Sequence, residues 1–349
     1  MAEKVKITEE FIRSLPKTEL HCHLDGSLRL DTILDLAQKD KVTLPSTDPD
    51  TLLKYVSVGD RKTNLPDYIK TFDYLLSVLQ TPESLTRAAY ELIEDVSKEN
   101  VLYMEVRYSP VLHTQRGMSH METVDAVLQG LRQAEKDFGI RSGVIICGIR
   151  SISPEISYML AEVAVAFKNR GVVGFDLAGV EENFPAKDHK EAFYLILNNN
   201  INTTLHAGED YGPESIHQAV HYCGAHRIGH GVRLKEDGDL LNYINDHRIA
   251  LEMCLTSNVQ TGSVKSYERH PFKLYYEYGL RVTLNTDNRL VSNTTLTNEY
   301  LLAHKYFNLD IADFKEIIIG GFKSTFLPHR DRTCLIRQIA DELDTYVSV

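Results

Sequence analysis

Thr18-Glu19-Leu20-His21-Cys22-His23-Leu24-Asp25-Gly26 alternates polar and apolar residues and closes on glycine, the pattern of a short strand running into a loop. Strand side chains repeat with a period of two, so His21 and His23 share a face. Two imidazoles side by side on a strand are able to share a divalent metal ion, and a strand holds them more rigidly than a loop would. Taken alone, the tripeptide is weak evidence, because paired histidines are ordinary core residues. Its meaning depends on whether further ligands stand at equivalent strand ends.

Downstream, short apolar runs alternate with amphipathic segments. Runs at 101–109, 143–149, 172–178, 203–206, 227–230, 249–255 and 281–287 read as strands, most of them apolar on both faces as in a parallel sheet. With the first strand they make eight. Helical patterns at 156–169, 189–198, 213–222, 236–246 and 271–278 separate them, so the grammar is a repeated β-α unit. Eight such units predict the α/β class and a closed (β/α)8 TIM barrel in preference to an open doubly wound sheet. No G-x-G-x-x-G or G-x-x-x-x-G-K-[ST] phosphate loop supports the alternative.

Residues from about 27 to 100 read as a helical insertion after the first strand. Ile69, Phe72, Leu75, Leu76 and Leu79 fall at helical spacing, and Thr81-Pro82 is an N-cap followed by proline at the first helical position. These apolar residues are expected to pack, and a helical segment beside a site also serves as a lid. From about 311 to 349, Phe314, Ile317, Ile318, Leu335, Ile336, Ile339 and Leu343 predict C-terminal helices on the barrel exterior. No linker or internal repeat divides the chain, so 1–349 is expected to form a single domain.

Composition narrows the function. A hydrophobic content of 43% with 25% charged residues rules out disorder, and a net charge of −11 without a basic stripe argues against a nucleic-acid partner. The first six residues lack the apolar core of a signal peptide, and no run of 18 apolar residues occurs, so a cytoplasmic protein without a membrane partner is expected. The cysteines are scattered and form no C-x-x-C, which reads as reduced core thiols.

Chemistry in a barrel of this kind sits at the C-terminal ends of the strands. Strand one ends in His21-x-His23, strand four in Asp176-Leu177-Ala178-Gly179, strand five in His206-Ala207-Gly208-Glu209, strand six in His230-Gly231 and strand eight in Asn285-Thr286-Asp287-Asn288. Each residue has a structural account of its own, but packing does not require this recurrence. Three imidazoles and a carboxylate suit Zn2+ with a coordination position left open for water. His21, His23, His206 and Asp287 are therefore the expected ligands of one zinc ion per chain, since strand four ends without a lysine to bridge a second. Zinc lowers the pKa of bound water toward ~7, which makes hydrolysis the implied reaction class. His230 is placed to accept the water's proton and steady the attacking oxygen, and Glu209 to act as an acid toward substrate. Asp176 is expected one layer behind.

With these residues in place, the chain resembles the adenosine deaminase family of the amidohydrolase superfamily. The resemblance runs over nearly the whole length, through Glu19-Leu20-His21-Cys22-His23-Leu24-Asp25-Gly26-Ser27, Glu105-Val106-Arg107-Tyr108-Ser109-Pro110, Asp176-Leu177-Ala178-Gly179, His206-Ala207-Gly208-Glu209, Gly229-His230-Gly231 and Asn285-Thr286-Asp287. It implies the same four zinc ligands, a proton passed from Glu209 to purine N1, His230 at the zinc-bound water, and the Gly179 amide at N3. The implied activity is hydrolytic deamination of adenosine and 2′-deoxyadenosine to inosine products and ammonia, by addition at C6 and elimination. Glu209 must then hold a proton, as a closed apolar site allows.

Many relatives carry a second aspartate where this chain has Asn288, which the resemblance puts at N7. An amide donates to N7 directly, where a carboxyl must first be protonated. The resemblance places Asp25 near the ribose 5′-hydroxyl, and since adenine deaminases tend to carry glutamate there, Asp25 favours a nucleoside over the free base. The alternatives are adenine or a 5′-modified adenine nucleoside such as 6-aminodeoxyfutalosine. More remote are another mononuclear metal hydrolase, disfavoured by the lack of an Arg or Lys cluster for phosphate, and a non-catalytic barrel. No protein partner is indicated.

Overall fold

The computed structural model describes residues 6–59 and 61–347. Residues 1–5, five of the six on which the signal-peptide reading rests, and residues 348–349 of the expected tail lie outside the described residues.

Eight strands run in the order β1 (Lys17–His23), β2 (Val101–Tyr108), β3 (Arg141–Ile149), β4 (Val172–Ala178), β5 (Asn202–Ala207), β6 (Arg227–His230), β7 (Ala250–Met253) and β8 (Val282–Leu284). Each is parallel to the next. Parallel neighbours need crossover connections, which is why helical segments alternate with the strands. The sheet closes just beyond β8, where Cys22 and Asp287 form a parallel bridge. There the Asp287 N–H donates to the His21 carbonyl at 2.9 Å and the His23 N–H to the Asp287 carbonyl at 2.7 Å. The fold is the expected (β/α)8 barrel.

Helix α1 (Glu9–Ser14) precedes β1. The insertion is not one continuous helical stretch but α2 (Leu30–Asp40), α3 (Pro49–Val56), α4 (Leu65–Lys70), α5 (Phe72–Val78) and α6 (Pro82–Ser97). Thr81 caps α6 as expected: its hydroxyl accepts from the Ser84 N–H, and the Ser84 hydroxyl accepts from the Thr81 N–H, both at 3.2 Å. The outer layer continues with α7 (His120–Phe138), α8 (Pro154–Ala166), α9 (Lys190–Asn198), α10 (Pro213–His221), α11 (Gly238–Asp246), α12 (Leu255–Gln260) and α13 (Phe272–Glu277). After β8 come α14 (Leu296–Phe307), α15 (Ile311–Ser324) and α16 (His329–Val347). Helix α15 packs on β8 and β1, covering the seam, and α16 packs on α15.

Two strands are shorter than the apolar runs that announce them. At the end of β7 the chain turns at Cys254, and Leu255 opens α12. The run at 281–287 leaves the β8 ladder after Leu284, and Asp287 adopts a left-handed backbone (φ 61°) that ends extension.

The strands are buried on both faces, yet the barrel interior is not apolar. Arg107 bonds to Asp176 at 2.9 Å and to Glu252 at 2.7 Å, while Arg227 bonds to Glu252 and Glu105 and lies 3.6 Å over the Phe326 ring. These contacts join β2, β4, β6 and β7, which are not all neighbours in the sheet, so they cross the interior. The reading of apolar inward faces is corrected here: opposite charges compensate one another beneath the strand ends, where an unpaired charge would be prohibitive.

Candidate active site

The ends of β1 and β5 and the segment after β8 bring His21, His23, His206 and Asp287 together, with one potential ligand atom of each inside a 4.8 Å cluster. Nε2 of His206 lies 3.1 Å from Nε2 of His21 and 3.1 Å from Nε2 of His23. Oδ1 of Asp287 lies 3.5 and 3.4 Å from the same two nitrogens. Ligand arms of ~2.0–2.1 Å in a tetrahedron give edges of about 3.4 Å, so the spacing suits one small divalent ion.

The surroundings fit the same purpose. His21 Nδ1–H donates to Glu252 at 2.8 Å and His206 Nδ1–H to Asp176 at 3.0 Å, which leaves both Nε2 lone pairs facing inward. Acceptor then faces acceptor, an arrangement that a cation between them resolves. The other Asp287 oxygen accepts from the Ser257 hydroxyl at 2.6 Å. Burial drives the His23 imidazole down to about 3, keeping it in the neutral form a metal needs.

Beside this cluster, Glu209 sits in the loop after β5. The N–H groups of Gly208, Glu209 and Asp210 all donate to the Glu181 carboxylate, at 2.9, 2.8 and 3.1 Å, and so fix that loop. Burial, then the negative charges of Asp287 and Glu181, push the Glu209 carboxyl well above the usual carboxylate range. His230 ends β6 with a left-handed backbone (φ 63°), which stops the strand there. Its Nδ1 lies 2.9 Å from the Asn258 amide.

Asp25, Gly179 and Asn288 line, with Glu209 and His230, a cavity of about 390 Å³. The opposite wall is Leu65, Tyr68, Ile69 and Phe72 of α4 and α5, so part of the insertion covers the site. The Tyr68 hydroxyl bonds to Ser292 at 2.7 Å, tying α4 to the loop beyond β8. Among the described residues, Oδ1 of Asp25 and Oδ1 of Asn288 are buried without a hydrogen-bond partner. Gly26 makes room for Asn288: a Cβ at position 26 would fall 1.9 Å from its Oδ1.

All the expected site residues meet at this one end of the barrel, with Asp176 one layer behind, at His206. Sequence reasoning missed Glu252, Glu181, Ser257, Asn258 and Thr261, the last of which donates its hydroxyl to Oε1 of Glu209 at 3.3 Å. The polar stretch Thr256-Ser257-Asn258 directly after an apolar run was the available signal for two of them. Among the described residues, no helix is long and apolar enough to cross a membrane.

The adenosine deaminase family profile matches residues 16–342. The chain is similar to the adenosine deaminase of Clostridium acetobutylicum, 39% identical over 331 residues that cover 95% of this chain and 99% of the relative. Of solved structures, an N6-methyl-AMP deaminase from Arabidopsis is 30% identical with a TM-score of 0.85, over 95% of this chain and 99% of that one. An amidohydrolase from Burkholderia ambifaria with bound Zn shares the fold with a TM-score of 0.91 at 24% identity, over 99% of this chain and 96% of that one.

Proposed function

The chain belongs to the adenosine deaminase family and is a hydrolase of carbon–nitrogen bonds, and on that footing we propose that it deaminates adenosine and 2′-deoxyadenosine at purine C6, with one zinc ion held by His21, His23, His206 and Asp287. When bound there, zinc supplies a water acidic enough to act as nucleophile near neutral pH. Glu252 and Asp176 orient the His21 and His206 rings toward it.

Glu209 carries the proton that passes to N1 as oxygen adds to C6, which neutralises the charge building on the ring. His230 faces the attacking oxygen. The adduct collapses as the proton of its new C6 hydroxyl passes to the amino nitrogen, so the C6 carbonyl forms and ammonia leaves, and the Glu209 carboxylate is reprotonated by the proton that the nucleophilic water gives up. The Asn288 amide donates to N7, the Gly179 N–H to N3, and Asp25 accepts from the ribose 5′-hydroxyl, while α4 and α5 keep bulk water out.

The observation that carries this reading is the convergence of four ligand atoms beside Glu209, a buried carboxyl whose pKa burial raises, in the lining of one cavity of about 390 Å³. The Arabidopsis structure brings a second reading, a 5′-monophosphate substrate. Against it, the residues lining this cavity include Asp25 and Asp73 and, among the described residues, no lysine or arginine, so a phosphate dianion meets like charge with no cationic side chain to pair with. Four buried free thiols support the cytoplasm as its setting.

The test is loss of absorbance near ~265 nm when zinc-replete protein meets adenosine, adenine, a 5′-substituted adenine nucleoside or AMP, since C6 deamination alters the purine chromophore that hydrolysis acts on. Turnover of adenosine with little adenine or AMP activity supports the reading. Preference for a 5′-substituted nucleoside revises the substrate, and silence on all four sinks the deaminase assignment.

A further inference from the structure

A chain of hydrogen bonds that starts at an unambiguous donor ends on His230. The backbone N–H of Phe272 donates to Nδ1 of His270 at 3.1 Å. A backbone amide nitrogen offers only a donor, so Nδ1 of His270 holds a lone pair. Burial drives the His270 imidazole down to about 3, so the ring is neutral and its single proton sits on Nε2. That N–H reaches Oδ1 of Asn258 at 3.2 Å, and this contact decides which end of the amide is oxygen. The remaining end, Nδ2, lies 2.9 Å from Nδ1 of His230 and is able only to donate.

His230 therefore accepts at Nδ1, and its proton is on Nε2, the nitrogen 3.5 Å from Oε2 of Glu209. We propose that His270 and Asn258 are positioning residues that hold neutral His230 as its Nε2–H tautomer, so that it meets the attacking oxygen as a hydrogen-bond donor and not as the acceptor of its proton. This rests on the reading of His230 as the group facing that oxygen, and it replaces the role that the sequence suggests for it. To accept a proton at Nε2, the ring would need its own proton on Nδ1, aimed at the Asn258 NH2. The amide cannot turn to relieve that clash without breaking the His270 contact. A fixed donor aimed at an oxygen that gains negative charge stabilises the adduct without reorganisation.

The experiment uses zinc-loaded, full-length protein labelled with 15N-histidine, read by long-range 1H–15N correlation, with His230 assigned by its loss in His230→Gln. The wild type is expected to show the Nε2–H pattern. Asn258→Asp puts an acceptor against both rings, and is expected to move His230 to Nδ1–H and lower kcat about 100-fold, with KM and zinc content little changed. Should that variant not fold, His270→Leu frees the Asn258 amide to turn, and both tautomers are expected with a smaller loss of kcat.

An Nδ1–H or doubly protonated His230 in the wild type would overturn the proposal, as would His230 signals that neither variant moves. A tautomer switch with kcat unchanged would overturn the donor role. Tautomers as expected in a protein that turns over no adenine compound would sink the deaminase reading and leave the tautomer assignment supported.

Discussion

Oε2 of Glu209 lies 3.5 Å from Nε2 of His230, and both side chains are buried at the edge of the candidate metal cluster. A carboxyl pushed up by burial and by the Asp287 charge keeps its proton at a pH where an exposed glutamate has lost it. The protonated form is the working one, so kcat is expected to hold below the raised pKa and to fall as pH climbs through it. Glu209→Gln should retain zinc, lose about 10²- to 10⁴-fold in kcat, and lose that alkaline limb. A near-wild-type rate in this variant would remove Glu209 as the acid.

His206 touches both His21 and His23 through the same nitrogen, so its loss removes one vertex of the ligand set and leaves only His21, His23 and Asp287 around the centre. His206→Ala is expected to lose bound metal and activity together. Chelation of the wild type should abolish activity, lower Tm, and be reversed by added zinc, because a ligand bound only by the folded state stabilises it. Metal analysis beside a melting curve checks this; full activity in metal-free protein would contradict it.

Gly26 and Asn288 leave no room between them for a methyl group. We expect Gly26→Ala to displace the Asn288 side chain and raise KM for adenosine with zinc content unchanged. Asn288→Ala should do the same, and the double variant should be little worse than either single one. Normal KM values in both single variants would take Asn288 out of the substrate site.

Tyr68 fastens α4 to Ser292 across the cavity mouth. Tyr68→Phe removes one buried hydrogen bond, worth about 1 kcal/mol, and is expected to raise KM while leaving metal content alone. Denaturant unfolding and steady-state kinetics on the variant check both parts. An unchanged KM would mean that the α4 contact has no part in closing the site.

What was legible beforehand follows from where the chemistry sits. His206, His230 and Asp287 each interrupt or follow an apolar run, so a reader of strand ends meets them one by one, and barrel closure then explains their convergence. Capping by Thr81 was legible because all its partners are local. Glu252 and Arg107 were not, because each looks like a stray charge in a strand until the interior brings Arg107 to Asp176 and Glu252. Glu181 likewise meets the Gly208–Asp210 amides only through tertiary placement of two loops. The shortened β7 escaped because Leu255 continues the apolar run while its backbone has already turned into a helix.

The seam of the barrel has a consequence for how the protein is made. Cys22 pairs with Asp287 across it, so the proposed ligands His21 and His23 stand on one lip and Asp287 on the other. Synthesis brings out His21 and His23 first, His206 later and Asp287 last of the four. No nascent fragment that stops short of position 287 owns the complete coordination set. Under the proposed ligation the closing seam is also a latch: the coordination set is complete only once the first and last strands have met.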